Sequence, residues 1–222
     1  MRTGALLFDL DGTLTDNFEG IANCLRYALL RLDAPEPDAK TLRTCVGPPL
    51  RETLPRLLGC DDAALTARAL ALYRERFADV GWRENAVYPG IVSALSAVAR
   101  ADRPMLVCTS KPQLYAQRIV AHFGLGDFFA GIYGPGLDGT LDDKSELLAH
   151  LLAREGLAGA ECRMVGDRHH DVRAAGRNGV GSIGVLWGYG TRAELEGAGA
   201  DIIVEAPGDL AAALAFVQPA SS

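Results

Sequence analysis

The fold is decided by the stretch Leu6-Leu7-Phe8-Asp9-Leu10-Asp11-Gly12-Thr13, in which an apolar run ends in a turn that carries two acids. In an extended segment, residues two apart project to the same side, so Asp9 and Asp11 can both face one reacting group. A pair of carboxyl groups held in this way can divide the roles of nucleophile and proton donor. The stretch therefore predicts a strand whose carboxyl end carries chemistry.

Short apolar runs recur along the chain, and segments with helical spacing lie between them. This alternation is typical of a parallel sheet that is covered by helices on both faces, so the predicted fold class is α/β. Parallel sheets bind ligands beyond the carboxyl ends of their strands, and Asp9, Thr109 and Asp167 each follow a predicted strand. The six predicted strands are 5–8, 105–108, 131–133, 163–165, 182–186 and 201–204.

One connection between predicted strands is too long for a simple crossover. About ninety-five residues separate the first strand from the second, where about a dozen would be enough. Two apolar stripes with helical spacing lie in this interval, so residues from about 18 to 82 are predicted to form a small helical bundle. We assign residues 1–16 and 84–222 to a core domain and 17–83 to a helical cap. The cap is expected to act as a lid over the site, and the alternative is a helical decoration remote from it. The stripes consist of Phe18, Ile21, Leu25, Leu29 and Leu32, and of Leu65, Ala69, Leu72, Arg76 and Phe77.

Composition argues against several classes of protein. The chain has 222 residues, of which 49% are hydrophobic, and this is enough for a sizeable buried core. Its net charge of -6 argues against a surface that binds nucleic acid. No apolar run approaches the roughly 18 residues of a membrane span, and an acid occurs too early for a signal peptide, so a cytoplasmic location is expected. The five cysteines form no C-x-x-C pair and are interpreted as buried, reduced thiols. Monomer and homodimer are both compatible with the sequence.

Four motifs, in order along the chain, resemble those of the haloacid dehalogenase superfamily, most closely its phosphoglycolate-phosphatase-like and 5'-nucleotidase-like branches. The combination is specific, whereas any one of the motifs alone is weak evidence. The resemblance spans nearly the whole chain and implies a Rossmann-like core with an inserted α-helical cap. The motifs are Asp9-Leu10-Asp11-Gly12-Thr13, Thr109 with Ser110-Lys111-Pro112, Lys144, and Gly166-Asp167-Arg168-His169-His170-Asp171.

The resemblance implies a phosphatase that acts on a small phosphorylated metabolite through an aspartyl-phosphate intermediate. Asp9 is then the nucleophile, and Asp11 protonates the leaving alcohol and later activates water. Asp11 must be neutral near pH 7 for the first role, which repulsion from Asp9 and partial burial favour. Thr109, helped by the amide of Ser110, is expected to bind a phosphate oxygen, and Lys144 to neutralise the nucleophile and the phosphate.

A bare aspartate repels a phosphate ester, so the reaction requires a cation, which the resemblance identifies as Mg²⁺. The implied ligands are the Asp9 carboxylate, the Asp11 backbone carbonyl and Asp167, all of them hard oxygen donors. Asp171 is expected to hydrogen-bond these ligands or their waters.

Further candidate residues lie near the first motif and in the cap. Gly12 is assigned to substrate binding. Arg51 is a candidate contact for an anionic leaving group, or else a solvated helix residue. Asn17 is a candidate hinge residue that contacts substrate, or else a simple N-cap. The stretch 187–190, Trp-Gly-Tyr-Gly, resembles a family signature and is interpreted as structural.

Some of these residues have a simpler explanation. Thr109 is β-branched and could merely end a strand. Lys144 follows an N-cap pattern, so a surface lysine in the first turn of a helix is the alternative. His169 and His170 depart from the commoner family pattern and are interpreted as solvated loop residues, with modulation of metal access as the alternative.

Other functions of the superfamily differ from the phosphatase by single residues. A dehalogenase and a phosphonatase both lack the second acid, which Asp11 supplies here. A sugar phosphomutase stays open, although no histidine precedes His122 to supply the cap histidine of that class. A noncatalytic binding protein is disfavoured because no catalytic residue is missing. Among phosphatase substrates, small acids such as phosphoglycolate rank first and nucleoside monophosphates second.

Overall fold

The strands of the protein form one large sheet and one small one. Within the described residues, 4–48, 50–101 and 103–215 of the computed structural model, eight strands form a sheet of six and a sheet of two. In chain order the strands are β1 (Leu6–Phe8), β2 (Thr15–Asp16), β3 (Ala86–Val87), β4 (Met105–Cys108), β5 (Gly131–Tyr133), β6 (Arg163–Gly166), β7 (Gly181–Val185) and β8 (Ile202–Val204).

The large sheet is parallel throughout and has the strand order β5-β4-β1-β6-β7-β8. Strand β1 lies in its interior, where Leu7 is in register with Leu106 of β4 and with Met164 of β6. The chain runs to one side of β1 first and to the other side afterwards, so a topological switch point lies there. This order brings the residues that follow β1, β4 and β6 to one edge of the sheet.

The six strands of the large sheet confirm the predicted α/β class. Each strand begins and ends within one residue of its predicted range. Strands β1 and β4 are buried over their whole length, as expected of strands that helices cover on both faces.

The chain divides into two compact units, one of Met1–Thr15 with Val87–Ser222 and the other of Asp16–Ala86. The first unit holds the large sheet, and the second is helical. The α-helices are α1 (Phe18–Leu30), α2 (Ala39–Arg43), α3 (Leu50–Leu58), α4 (Ala63–Asp79), α5 (Ile91–Val98), α6 (Gln113–His122), α7 (Lys144–Glu155), α8 (His169–Arg177), α9 (Arg192–Ala198) and α10 (Leu210–Ala215).

Helix α7 shows how the sequence builds the first unit. Asp143 caps its start by accepting hydrogen bonds from the amides of Ser145 and Glu146. Gly156 ends it in the left-handed conformation that glycine adopts without strain. The face between these ends packs into the core beside β1 and β4, and each leucine buried there contributes about 1.5–3 kcal/mol. The buried leucines of this face are Leu147, Leu148, Leu151 and Leu152.

The helical unit is built around α1 and α4. The predicted stripe of α1 is buried except for Leu32, which lies beyond the end of the helix and is half-buried. Arg76 of α4 donates two hydrogen bonds to Glu84, with N–O distances of 2.6 and 2.8 Å. The Arg76 guanidinium is the main cause that lowers the pKa of the Glu84 carboxyl group. This ion pair ties the end of the helical unit back to its longest helix.

Two expectations from composition concern helix length and the thiols. Among the helices that the structure describes, none is both long enough and apolar enough to cross a membrane. All five cysteines are free thiols; four are buried as predicted, whereas Cys60 is half-buried.

Candidate active site

Asp9 directly follows β1 and continues its hydrogen bonding, because its amide donates to the carbonyl of Val165 at 2.9 Å. The side chain is buried, and its Oδ1 accepts a hydrogen bond from the amide of Leu10 at 2.8 Å. Gly12 then turns the chain with a φ of 85°, a conformation that favours glycine. The turn after the first strand therefore holds the carboxylate of Asp9 in a fixed direction.

Three buried carboxylates meet at this edge of the sheet. Oxygen atoms of Asp9, Asp167 and Asp171 all lie within 4.8 Å of one another. Burial, with the charges of Asp171 and Asp9, raises the pKa of Asp167 to about 8. Burial also raises the pKa of Asp171 above its usual value, against the opposing charge of Lys144. The upward direction of both shifts indicates that the buried cluster favours a compensating positive charge, and its hard oxygen donors suit Mg²⁺.

Lys144 supplies one such charge from the first turn of α7. Its Nζ atom lies 3.1 Å from Oδ2 of Asp9 and forms a second ion pair with Oδ1 of Asp171. Burial alone would lower the pKa of Lys144, but the carboxylates of Asp171 and Asp9 raise it well above its usual value. Lys144 is therefore a buried ammonium group and not a surface lysine, although Asp143 does cap the helix as the N-cap pattern predicted.

Thr109 and Ser110 follow β4 at the same edge of the sheet. The amide of Thr109 extends the strand by donating to the carbonyl of Tyr133 at 3.0 Å. The Thr109 side chain is buried, and its hydroxyl oxygen accepts a hydrogen bond from the amide of Lys111 at 3.2 Å. Ser110 is exposed. Both residues therefore lie beyond the end of β4, beside the turn that carries Asp9.

Lys111 is a residue of this site to which the sequence reasoning gave no role. Its Nζ atom lies 2.6 Å from Oδ2 of Asp11, and its side chain is 5% exposed. The scarcity of lysine could have indicated a functional role for Lys111. The chain has three lysines, and two of them, Lys111 and Lys144, belong to the family motifs. The site thus contains two buried ammonium groups, each paired with a carboxylate of the first motif.

The loop after β7 also contacts the site, through the stretch 187–190. The amide of Tyr189 donates to Oδ2 of Asp167 at 2.8 Å. The indole N–H of Trp187 donates to the carbonyl of Thr13 at 2.9 Å. The hydroxyl of Thr13 in turn donates to Oδ1 of Asp167 at 3.4 Å. Asp167 is therefore held by backbone and side-chain donors from two loops.

His169 and His170 lie in the first turn of α8 and not in a loop, and both are half-buried. Their interpretation as solvated loop residues is wrong, because α8 begins earlier than expected. Asp171 accepts a hydrogen bond from the amide of Arg168 at 3.0 Å, which helps to order this turn. One oxygen of Glu194 accepts from the Arg168 side chain and from the amide of His169, and it lies 2.6 Å from Nδ1 of His169. Of the described residues that form the acidic cluster, none is a histidine.

Two candidates belong to the helical unit. Asn17 occupies the N-cap position of α1 and is buried, but its side chain makes no capping hydrogen bond to the helix. Arg51 is an exposed residue in the first turn of α3. The structure brings together the other predicted site residues, which all belong to the first unit. These are Asp9, Asp11, Gly12, Thr109, Ser110, Lys144, Asp167 and Asp171.

Comparisons with known proteins agree on one family. The sequence model of the family described as "Haloacid dehalogenase-like hydrolase" matches residues 6–185. A 5'-nucleotidase of Pseudomonas aeruginosa is 46% identical over 195 residues, which are 88% of this chain and 88% of that protein. A phosphoglycolate phosphatase of Pseudomonas putida is 32% identical over 193 residues, which are 83% of this chain and 70% of that protein. The crystal structure described as "a predicted phosphatase from Clostridium acetobutylicum" matches with a TM-score of 0.91 at 35% identity, covering 98% of this chain and 100% of that one.

Proposed function

The chain belongs to the haloacid dehalogenase-like hydrolase family and is a phosphatase, and we propose that it hydrolyses phosphomonoesters with Mg²⁺ through a phosphorylated Asp9. One observation carries the proposal. A buried cluster of three carboxylates, with the ammonium group of Lys144 among them, lies beyond the ends of β1 and β6. Such a cluster would not be expected in a core that serves stability alone, because each buried charge costs free energy unless it is compensated.

The donor set fits the proposed ion. If all three carboxylates of Asp9, Asp167 and Asp171 are ionised, Lys144 balances one charge and a divalent cation would balance the other two. The Asp9 and Asp167 carboxylates and the Asp11 carbonyl would hold the ion, with Asp171 supporting them. When bound, Mg²⁺ supplies positive potential to the phosphate oxygens.

In the first step, a carboxylate oxygen of Asp9 forms a bond to phosphorus while the phosphorus–oxygen bond to the leaving group breaks. The leaving oxygen takes its proton from Asp11. The product is an acyl phosphate on Asp9 and a free alcohol. Asp9 is suited to this attack because the hydrogen bond from the amide of Leu10 to its Oδ1 fixes the direction of its carboxylate.

In the second step, water attacks the phosphorus atom and gives its proton to the Asp11 carboxylate. The acyl phosphate bond breaks, which restores the Asp9 carboxylate, releases inorganic phosphate and returns Asp11 to its acid form. Lys111, 2.6 Å from Oδ2 of Asp11, orients this carboxyl group through Oδ2 and so leaves Oδ1 to carry the proton during the exchange. Thr109 and the amide of Ser110 bind the phosphate oxygens, and Lys144 offsets their charge beside Asp9.

For the substrate, we place nucleoside monophosphates ahead of phosphoglycolate, which reverses the order given by the motifs alone. The relative named 5'-nucleotidase shares 46% identity with this chain, and the relative named phosphoglycolate phosphatase shares 32%. Asn17, Arg51 and Gly12 stay predicted substrate contacts. If Arg51 binds the leaving group, Arg51→Ala should raise KM and leave kcat nearly unchanged.

The mechanism is tested by trapping the intermediate. Incubation with substrate and Mg²⁺, followed by acid quenching, should give a hydroxylamine-labile phosphoenzyme, and Asp9→Asn should abolish it. Labelling of the Asp9→Asn variant would refute the assignment of the nucleophile. The substrate class is tested separately by kcat/KM over a panel of nucleoside monophosphates, phosphoglycolate and sugar phosphates, since that ratio measures discrimination.

A further inference from the structure

Three glycines lie against Asp167, two of them beside its carboxylate and one beside its backbone carbonyl. A β-carbon added to Gly12 would overlap Oδ2 of Asp167, and one added to Gly188 would overlap the carbonyl oxygen of Gly12 and lie 2.5 Å from Oδ2 of Asp167. A β-carbon on Gly190 would overlap the backbone oxygen of Asp167. Two of these neighbours are backbone atoms, which cannot move aside as a flexible side chain can. The space around Asp167 therefore excludes side chains from two different loops.

Positions 188 and 190 require glycine because there is no room for a β-carbon, and not because the backbone has an unusual conformation. Gly12 has a φ of 85°, whereas Gly188 and Gly190 are not among the described residues with positive φ. The backbone conformation would thus accept an alanine at both positions, and what excludes it is the close approach of Asp167 and, at position 188, of the carbonyl oxygen of Gly12. Close approach of a backbone to a functional group is one of the uses that proteins make of glycine.

The segment 187–190 uses this closeness to make two directed hydrogen bonds. The amide of Tyr189 donates to Oδ2 of Asp167, and the indole of Trp187 donates to the carbonyl of Thr13. The first bond orients a side chain of the loop after β6, and the second holds the loop after β1. The proposed metal ligands come from these same two loops. Neither hydrogen bond is explained by the catalytic steps.

We propose that the segment 187–190 is a positioning element for the metal ion, which holds the Asp167 carboxylate in its binding orientation and fixes the distance between the two ligand loops. The inference rests on the proposed function. Groups that orient metal ligands in this way are worth about 10–100-fold in metal affinity. The segment contacts neither substrate nor phosphate in this role, and it acts only through Asp167 and Thr13.

The decisive variant is Gly188→Ala. Its Mg²⁺ affinity is measured by isothermal titration calorimetry without substrate. A second, independent measurement uses electron paramagnetic resonance to monitor the displacement of bound Mn²⁺ by Mg²⁺. We expect the affinity to fall about tenfold or more, while the far-UV circular dichroism spectrum stays that of the wild type. Saturating Mg²⁺ should restore most of kcat, whereas general structural damage would lower kcat at every Mg²⁺ concentration.

Gly197→Ala is the matched control, because Gly197 lies in α9, a short distance along the chain, and an added β-carbon there meets open space. Its Mg²⁺ affinity should stay within twofold of the wild type. Trp187→Phe covers the case in which Gly188→Ala does not fold, since it removes the hydrogen bond to Thr13 without adding an atom. This variant should lose about three- to tenfold in Mg²⁺ affinity.

The outcomes separate the inference from the function on which it rests. If the wild type binds no Mg²⁺, the proposed metal chemistry fails. If the wild type binds Mg²⁺ and a folded Gly188→Ala binds it within twofold as tightly, the inference alone is overturned. If Gly188→Ala does not fold, wild-type Mg²⁺ affinity in Trp187→Phe overturns it instead.

Discussion

The ammonium group of Lys111 lies 2.6 Å from Oδ2 of Asp11, at the edge of the sheet where β1 and β4 end. Asp11 is the residue to which the proposed mechanism gives the proton transfers. The two residues are brought together because β1 pairs with β4 in parallel, so that the turns after the two strands lie side by side. Within the proposed mechanism, this position assigns Lys111 to the proton-transfer steps of Asp11.

Lys111→Met should slow the reaction in a way that depends on the leaving group. An alkyl phosphate, such as a nucleoside monophosphate, requires a proton on its leaving oxygen, whereas p-nitrophenyl phosphate departs as a stable phenolate. We expect kcat for the nucleotide to fall about 10–100-fold and kcat for p-nitrophenyl phosphate to fall much less. Steady-state kinetics with both esters measures the difference.

The control for this variant is Lys40→Met, which removes an exposed lysine of α2 and should leave both rates unchanged. A double-mutant cycle adds a second check. In an Asp11→Asn background, Lys111→Met should cost little more, because the two residues act as a unit. Equal losses for both esters would contradict the assignment of Lys111 to Asp11.

Lys144→Met should destabilise the protein as well as inactivate it. The substitution removes the ammonium group that contacts Asp9 and Asp171, and breaking a buried ion pair by removing one partner costs about 3–5 kcal/mol. We expect the free energy of unfolding at pH 7 without Mg²⁺ to fall by about 3 kcal/mol, and Mg²⁺ to recover part of the loss. Urea denaturation with and without Mg²⁺ measures both effects.

Lys144→Arg is the variant with which Lys144→Met is compared, because it keeps the positive charge and changes the shape of the side chain. It should retain most of the stability and lose activity, since a planar guanidinium cannot replace a compact ammonium group at this position. A Lys144→Met protein as stable as the wild type would show that the carboxylates of Asp9 and Asp171 do not depend on this cation.

Arg76→Met tests the ion pair of the helical unit. The guanidinium makes two hydrogen bonds to Glu84, and the two side chains are 20% and 30% exposed. Such a two-point pair is stronger than an ordinary surface pair, so we expect a loss of about 1–2 kcal/mol. Hydrogen exchange should increase in α1 and α4. Arg26→Met, which breaks a more exposed pair with Glu36, should change exchange little; equal effects of both variants would contradict the prediction.

Strands and motifs were predictable because both depend on local sequence. A buried strand is an apolar run, which is why β4 and β5 match their predicted ranges to the residue. The pairing of Asp9 with Asp11 could also be inferred from local sequence, since the two residues are two positions apart. The contact of Lys111 with Asp11 joins residues one hundred positions apart and depends on which strands are neighbours. A single sequence does not display that pairing.

The surroundings of Asp167 were missed for the same reason. The amide of Tyr189 contacts Asp167 from 22 positions farther on, and the carboxylate of Glu194 contacts His169, at the start of α8, from 25 positions farther on. Neither contact has a signature of its own, because a backbone amide is present in every residue except proline and glutamates are common on helices. The position of His169 was missed because its helix is ordered partly by Glu194 and not only by its own capping residue.

Glu194 should make the free energy of unfolding depend on pH in the acid range. Burial alone would raise its pKa, but hydrogen bonds from the amide of His169, the side chain of Arg168 and the side chain of His169 lower it from 4.5 to about 2. A carboxyl group with a lowered pKa in the folded state stabilises the protein above its unfolded pKa. That contribution is lost as the pH falls from about 4.5 to about 2.

Glu194→Gln should therefore reduce the free energy of unfolding at pH 7 and leave it nearly unchanged at pH 2. The pKa shift sets an upper limit of about 3 kcal/mol, which partial exposure of the carboxylate reduces to about 1–2 kcal/mol. Urea denaturation at several values between pH 2 and pH 7 measures the difference. Glu205→Gln, which breaks an exposed pair with Arg192, should be close to neutral at every pH. A pH-independent loss in Glu194→Gln would mean that the residue acts through packing, because only the ionised carboxylate gains from the donors of Arg168 and His169.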